Sequence, residues 1–297
     1  MNFAEMTAKV GTGDGFIAAL DQSGGSTPKA LAGYGVGEDD WDGEEDMFAQ
    51  IHAMRCRIVE SNAFTGEKVI GAILFERTME GCTPSGTGIP ERLKQKGVVP
   101  FLKVDKGMHD VADGAQTMKP MPGLGEMCAR AKSLGMFGTK MRSVIHEANE
   151  AGVAAVIAQQ MDFGLEILGH GLVPILEPEV SLKSETRSAA DALVLSNMLE
   201  QLDRVPDGKQ VILKLTIPAE ANTYAPLVTH PKVLRVVALS GGYTRDEAVR
   251  ELAKNSGMIA SFSRALLQEL RVSMDDAEFD AALAEAIDEI RAASMAG

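Results

Sequence analysis

Residues 211–215, Val211-Ile212-Leu213-Lys214-Leu215, form an apolar run of strand type that contains a single lysine. An ammonium group inside a buried strand is costly to remove from water, so the protein must either pair this charge or use it. Burial lowers the pKa of a lysine, and a neutral amine can attack a carbonyl carbon to form a Schiff base. Taken alone, the pattern more often marks a lysine that reaches water from a strand end. The rest of the sequence favours the chemical interpretation.

Similar apolar runs recur along the chain and alternate with helical patterns. Several runs are apolar at every position, which is typical of parallel strands that helices cover on both faces. Eight runs in roughly 250 residues predict an α/β fold, a single (β/α)8 TIM barrel over residues 1–297 with a C-terminal helix. A doubly wound open sheet is the alternative. The predicted strands are residues 16–21, 69–75, 98–104, 136–142, 172–179, 210–215, 234–240 and 258–262.

The helical segments carry their own signals. Thr244 and Glu247 form a capping-box pattern that predicts a helix running towards Lys254, and Ser273 with Asp276 predicts the start of the last helix. Two apolar stripes at helical spacing predict buried helix faces. They are Met47, Ile51, Met54 and Ile58 in one helix, and Phe279, Leu283, Ile287 and Ile290 in the last one.

Composition excludes several classes of partner. The formal net charge of −13 argues against nucleic acid and anionic membrane surfaces. Cys56, Cys82 and Cys128 are widely spaced and form no C-x-x-C motif, which predicts reduced thiols in a cytosolic protein. We find no signal-peptide pattern and no apolar stretch near ~18 residues. We therefore expect a cytoplasmic protein without a membrane span.

The sequence also predicts that no metal or nucleotide cofactor is required. The five histidines never recur at the three- to five-residue spacing of metal ligands. The glycine-containing stretches at residues 23–26 and 86–88 match neither the Walker nor the dinucleotide-binding fingerprint.

Charged residues concentrate where the predicted strands end. Residues two apart on a strand share a face, and the carboxyl ends of barrel strands meet at one mouth. We therefore expect a cluster of lysines, arginine and carboxylates there, in which neighbouring cations lower the pKa of the strand lysine further. A single pair would more often be a solvated strand end, but five strand ends share the pattern. The residues are Asp21, Lys103 and Asp105, Lys140 and Arg142, Glu177 and Glu179, and Lys214.

Turns rich in glycine and serine follow the last two predicted strands. The loops after strands seven and eight of such barrels commonly bind phosphate through backbone N–H groups. The segments are Leu239-Ser240-Gly241-Gly242 and Ser261-Phe262-Ser263-Arg264. Residues 21–26, with Lys103 nearby, could form a second anion site across the mouth. Two phosphate sites on either side of one lysine would suit a bisphosphorylated sugar.

Together these segments resemble class I (Schiff-base) fructose-bisphosphate aldolase in its shorter bacterial form. The similarity extends from about residue 15 to residue 270, and its specificity comes from the order and spacing of short motifs. The matching segments are residues 18–23, 102–107, 139–142, 173–179, 213–214, 239–242 and 261–266.

The resemblance implies a role for each matching residue. Lys214 is the implied Schiff-base nucleophile, Glu177 the acid/base that assists loss of water, and Asp21 the base that takes the substrate hydroxyl proton. Glu179 and Lys140 are implied to lie beside the imine. The implied substrate-binding residues are Ser240, Gly241, Gly242, Ser261, Ser263 and Arg264 at the ketone-end phosphate, Ser23, Ser26 and Lys103 at the other phosphate, and Arg142 on the bound sugar phosphate.

The implied reaction is reversible, metal-independent cleavage of fructose 1,6-bisphosphate in glycolysis and gluconeogenesis, with a phosphorylated sugar as the small-molecule partner. The sequence departs from the family pattern at Ser263, where glycine is frequent, and at Gln22, which replaces a frequent glutamate. The chain ends without the C-terminal tyrosine of longer animal forms, so the group that protonates the enamine stays unassigned.

Three other interpretations remain open at this point. One is a Schiff-base barrel lyase of the transaldolase type, which needs only one phosphate site. Another is a sugar-phosphate isomerase in which Lys214 acts only through its charge. The third is a barrel without catalytic activity that binds another protein. Association into a homo-oligomer is also open, because no segment identifies an interface.

Overall fold

The computed structural model describes residues 1–297, and its eight parallel strands follow one another around a barrel in chain order. The sheet closes where the backbone N–H of Ala19 donates to the carbonyl of Phe262 over 3.2 Å. The predicted (β/α)8 TIM barrel is confirmed. The strands are β1 Phe16–Leu20, β2 Val69–Leu74, β3 Val99–Lys103, β4 Gly138–Ile145, β5 Val173–Val180, β6 Val211–Thr216, β7 Val233–Leu239 and β8 Ile259–Ala260.

Helices surround the barrel, and both predicted apolar stripes lie on buried helix faces. The capping box of Thr244 and Glu247 is confirmed at the start of its helix. The helices are α1 Phe3–Thr12, α2 Thr27–Tyr34, α3 Gly43–Glu60, α4 Glu76–Glu80, α5 Ile89–Gln95, α6 Leu124–Ser133, α7 Glu150–Gly169, α8 Arg187–Leu202, α9 Ala225–Val228, α10 Arg245–Leu252, α11 Arg264–Leu267 and α12 Asp276–Met295.

An apolar cluster fills the barrel at the amino ends of the strands. Helix α1, which the sequence analysis did not predict, covers this end and adds Met6 and Val10 to the same cluster. Bulky apolar side chains come from seven of the eight strands and from Phe137, directly before β4, so this half of the barrel is a packed core and not a pore. Its members include Ile17, Ile73, Phe101, Phe137, Ile175, Ile212, Val237 and Ile259.

Most predicted strand ends differ from the observed ones by one or two residues, and two boundary differences have a clear structural reason. Strand β4 continues past residue 142 to Ile145, because the two-residue strand Ala115–Gln116 pairs antiparallel with its end. The predicted cap of the last helix at Ser273 is wrong. The structure places the cap at Asp275, whose side chain accepts the N–H of Glu278, so both ends of the capping box lie two residues further on.

Helix α7 is long and apolar enough by composition to cross a membrane, with a mean hydropathy of 1.2. Half of this stretch is buried inside the protein, where α7 packs against β4, β5 and α8. The composition therefore fits a core helix of the barrel.

Candidate active site

The charged site begins where the apolar interior ends, on the same inward-facing positions of the strands. Side chains alternate along a strand, so the residue two positions after an inward residue also faces inward. Two positions beyond Ile212 is Lys214, and two beyond Ile175 is Glu177. The same step on β1 leads from the buried Ala19 to Asp21.

These three side chains and Lys140 form one continuous buried ion network. Lys214 Nζ lies 3.1 Å from Glu177 Oε1, and Lys140 Nζ lies 2.7 Å from Glu177 Oε2. Lys140 Nζ also lies 2.8 Å from Asp21 Oδ2. Each of the four residues is at most 8% exposed, so the network is almost wholly removed from water. Glu177 is the carboxylate that both buried lysines share.

The electrostatics of the network fix three of these groups in their charged forms. Burial by itself raises the pKa of Asp21 and Glu177, but the nearby ammonium groups of Lys140 and Lys214 outweigh it and hold both carboxyl pKa values below their ordinary range. Burial by itself lowers the pKa of Lys140, but Asp21 and Glu177 outweigh it and raise that pKa above its ordinary range. At neutral pH the network therefore holds two carboxylates able to accept protons and a fixed cation between them.

The network forms the floor of a cavity of about 1240 Å³ at the mouth of the barrel. Every candidate site residue from the sequence analysis lines this cavity, although the residues come from seven different strands or the loops that follow them. They are Asp21, Ser23, Ser26, Lys103, Lys140, Arg142, Glu177, Glu179, Lys214, Ser240, Gly241, Gly242, Ser261, Ser263 and Arg264.

Two further ion pairs lie on the cavity wall. Lys103 Nζ lies 2.9 Å from Asp105 Oδ1, and Arg142 Nη1 lies 3.0 Å from Glu179 Oε2. The resemblance implied a position for Glu179 beside the imine, and the structure pairs its carboxylate with Arg142. Both cations are more exposed than the floor lysines, which leaves them accessible from the cavity.

The loop after β7 has a backbone shape that requires glycine. Gly241 has φ +60° and Gly242 has φ +131°, and a Cβ atom on Gly241 would lie 2.9 Å from Leu182 Cγ. Next to this loop, the buried Ser261 hydroxyl has no hydrogen-bond partner in the protein. Arg264 lines the same part of the cavity. Together these groups offer N–H donors, a free hydroxyl and a guanidinium, which suits a phosphate.

The loop after β1 shapes the second candidate anion site, which the sequence predicted at residues 21–26. The Ser26 hydroxyl accepts the N–H of Ser23 over 2.9 Å and donates to the Ser23 carbonyl over 2.8 Å. Gly24 within this turn has φ +50°. The turn therefore keeps Ser23 and Ser26 together at the rim.

The sequence analysis missed Arg55, which lies behind this loop. Arg55 is 1% exposed, and its Nη2 donates to the carbonyl of Gln22 over 2.5 Å. The sequence did carry a signal for the burial of Arg55. This residue follows the buried Phe48 and Ile51 at spacings of seven and four, so it falls on the apolar face of α3.

No group of three or more histidine, cysteine, aspartate or glutamate side chains is placed to hold a metal ion. The carboxylates of Asp21, Asp105, Glu177 and Glu179 instead pair with lysine or arginine side chains of the cavity.

Comparisons with known proteins agree over nearly the whole chain. The family model described as Glycolytic: Fructose-bisphosphate aldolase class-I matches residues 3–217. A protein of Porphyromonas gingivalis named Fructose-bisphosphate aldolase class 1 is 50% identical over 281 residues, which cover 95% of each chain. A protein of Synechocystis with the same name is 47% identical over 291 residues, covering 98% of this chain and 97% of that protein.

A solved structure supports the fold independently. It is fructose-bisphosphate aldolase from Plasmodium falciparum in complex with TRAP and a small molecule inhibitor, and it superposes with a TM-score of 0.80. The match covers 99% of this chain and 94% of that chain at 20% sequence identity. At this identity the likeness bears on the barrel fold.

Proposed function

Since this chain belongs to the class I fructose-bisphosphate aldolase family, we propose that Lys214 supplies the amine that forms its Schiff base. The enzyme cleaves fructose 1,6-bisphosphate reversibly to dihydroxyacetone phosphate and glyceraldehyde 3-phosphate, a step of glycolysis and gluconeogenesis. As in the rest of its family, the reaction is metal-independent and proceeds through a lysine imine.

One observation carries the choice of lysine. Lys214 and Lys140 share the Glu177 carboxylate, but only Lys140 has a second carboxylate, Asp21, within ion-pair distance. Lys140 is therefore held as a cation from two sides. Lys214 has one carboxylate partner, and that partner can take up the proton that the amine must lose before it attacks a ketone.

The cleavage step follows from this arrangement. The Lys214 amine adds to the ketone carbon, and Glu177 gives a proton to the departing hydroxyl so that water leaves and an iminium remains. Asp21 then takes the proton from the hydroxyl next to the scissile bond. The electron pair of the broken carbon–carbon bond moves into the iminium, which leaves an enamine on Lys214 and releases glyceraldehyde 3-phosphate. Lys140 contacts both carboxyl groups and stabilises each of them when it is ionised.

The two ends of the cavity are assigned to the two phosphates. In this proposal Ser240, Gly241, Gly242, Ser261, Ser263 and Arg264 bind the phosphate near the ketone, and Ser23, Ser26 and Lys103 bind the other one. Arg142, held by Glu179, contacts the sugar phosphate between them. The unpartnered Ser261 hydroxyl and the glycine-only backbone after β7 support the first assignment.

Borohydride trapping tests the assignment of Lys214. The wild-type enzyme is incubated with dihydroxyacetone phosphate and chelator, reduced, digested and analysed by mass spectrometry. We expect a reduced triose phosphate adduct on the peptide that carries Lys214. Lys214→Met should lose the adduct and more than about 10³-fold of kcat, with an unchanged circular dichroism spectrum. An adduct on Lys103 or Lys140, or no adduct at all, would contradict the proposal.

Three further expectations belong to the same proposal. We expect residues 1–297 to behave as one barrel domain, with one cooperative unfolding transition in urea. We expect the enzyme in the cytoplasmic fraction of cells. Light scattering after gel filtration will show whether the chain associates with copies of itself.

A further inference from the structure

Arg55 is a buried cation that the proposed chemistry does not use. Its guanidinium bonds only to neutral groups: Nη1 donates to Thr78 Oγ1 over 2.8 Å, and Nη2 donates to the carbonyl and, at 3.3 Å, to Oε1 of Gln22. Burial lowers the pKa of Arg55 to about 10, so it stays charged at neutral pH. A buried charge without a carboxylate in contact is costly for folding. Such a cost points to a role beyond packing.

The contacts of Arg55 continue through Gln22 to the loop after β8, the strand that lies next to β1 in the closed barrel. Gln22 Nε2 donates to Ser263 Oγ over 2.5 Å and to the Ala19 carbonyl over 3.3 Å. A chain of side-chain hydrogen bonds therefore runs from Thr78 after β2, through Arg55 and Gln22 after β1, to Ser263 after β8. We call this chain the Arg55–Gln22–Ser263 link.

The link joins the two segments to which the proposed function assigns the two phosphates. Gln22 directly precedes Ser23, and Ser263 directly precedes Arg264. The contact that joins the two segments is the hydrogen bond of 2.5 Å from Gln22 Nε2 to Ser263 Oγ. A glycine at position 263 would have no hydroxyl, and a glutamate at position 22 would have no N–H group to donate.

We propose that Arg55 and Gln22 are positioning residues that fix the loop at residues 22–26 relative to the loop at residues 261–264, and so set the spacing of the two phosphates. This inference rests on the proposed function. Neither side chain touches the reacting atoms in it, and both act through Ser23 and Arg264. A substrate with two phosphates must satisfy both loops at once, whereas a substrate with one phosphate needs only one of them.

Steady-state kinetics of Gln22→Met, Ser263→Ala and the double variant test the proposal. We expect Gln22→Met to raise KM for fructose 1,6-bisphosphate about tenfold, the size of effect that one lost hydrogen bond produces, while kcat stays within about threefold. The KM for fructose 1-phosphate should change by less than about threefold. The double variant should be no worse than Gln22→Met, because both substitutions break the same side-chain contact, and the phosphate contact proposed for Ser263 is through its backbone N–H, which alanine keeps.

Two arginine variants separate positioning from a purely structural role. Arg55→Lys keeps the charge but loses the two-pronged contact with Thr78 and Gln22, so we expect the same rise in KM for the bisphosphate. Arg92→Met on helix α5 is the control. Arg92 pairs with Glu60, and neither residue lines the active-site cavity, so KM should stay within about twofold.

The possible outcomes are distinct. An unchanged KM for the bisphosphate in Gln22→Met, an equal rise for both substrates, or a fall in kcat alone would overturn the positioning role. If Gln22→Met does not fold, Ser263→Ala removes the same contact from a loop position and decides the question. Failure of the proposed function would appear separately, as absence of the borohydride adduct in the wild-type enzyme.

Discussion

The two ends of the barrel are made by the same strands, yet they differ in what the inward positions carry. At the amino end the interior holds Ile212 and Ile175, closed off by α1. Two residues further along the same strands, the interior holds Lys214 and Glu177 in an ion network. The apolar end contributes stability through burial, and its packed side chains hold the residues of the charged end in position. We therefore expect substitutions at the apolar end to change mainly the free energy of unfolding, and substitutions at the charged end to change mainly kcat or KM.

After Lys214→Met, the largest effect on chemistry is expected from Glu177→Gln, which removes the carboxylate that both floor lysines share. We expect kcat to fall by about 10²–10⁴-fold, because general acid–base assistance to dehydration is lost. Steady-state assays of fructose 1,6-bisphosphate cleavage measure this fall in kcat. Glu289→Gln is the control, because Glu289 pairs with Arg245 and neither residue lines the cavity, and its kcat should stay within about twofold. Equal losses in the two variants would refute a specific role for Glu177.

The opposite end is tested by Ile212→Ala, one inward position below Lys214. We expect the free energy of unfolding to fall by about 2–5 kcal/mol, because the substitution opens a cavity in a packed core. The kcat of the folded protein should stay within about threefold. Urea unfolding followed by circular dichroism, with kinetics at low temperature, checks both. A large loss of kcat without a fall in the free energy of unfolding would contradict the separation of stability and catalysis between the two ends.

Lys103→Met addresses the rim of the charged end and the assignment of the far phosphate. We expect KM for fructose 1,6-bisphosphate to rise about 10- to 100-fold, the usual effect of losing one charge-assisted hydrogen bond. Fructose 1-phosphate is the internal control, since it lacks the phosphate in question and its KM should not change. An equal rise in KM for both substrates would contradict the assignment of Lys103 to the phosphate that fructose 1-phosphate lacks. Because Lys103→Met also removes the ion pair with Asp105, the thermal unfolding temperature of the variant shows whether that loss affects the fold.

The smallest effect concerns the pH dependence of stability. The folded-state pKa values of Asp21 and Glu177 lie below their ordinary values, so these groups stabilise the fold above about pH 5 and lose that contribution as the pH falls. Lys140→Met removes the main cation, which raises both folded-state pKa values. The free energy of unfolding should therefore rise less steeply between about pH 2 and pH 5 than in the wild type.

Urea unfolding at a series of pH values measures this slope. Lys132→Met is the control, because Lys132 donates only to the His170 carbonyl and is exposed, so its slope should match the wild type. An unchanged slope in Lys140→Met would mean that the ion network contributes nothing to acid stability.

Much of the fold followed from local patterns. All eight strands were predicted, because a buried parallel strand is an apolar run of recognisable length. Strand β4 was cut short at residue 142, because its last residues pair with Ala115–Gln116, a partner too short to leave a pattern. Arg55 was missed because a lysine or arginine in a helix is ordinarily assigned to the solvent face.

The choice among chemistries needed more than the residues. A transaldolase-type lyase and an isomerase share the barrel, the lysine and a phosphate loop, so motifs alone left them open. Relatives at 50% and 47% identity along nearly the full chain decided for the aldolase. Residue types identify a kind of chemistry, whereas the substrate depends on the spacing of groups around the whole mouth.

The sequence by itself determined that charged side chains would follow apolar runs at five strand ends and that residues two apart would share a face, because both are local properties of a strand. Only the tertiary structure decided which charges meet. Arg142 lies opposite Glu177 in the β4–β5 register, yet it pairs with Glu179, while Glu177 turns to Lys140 and Lys214. The stagger of neighbouring strands and the closure of the barrel set these distances, and neither is written in any single segment.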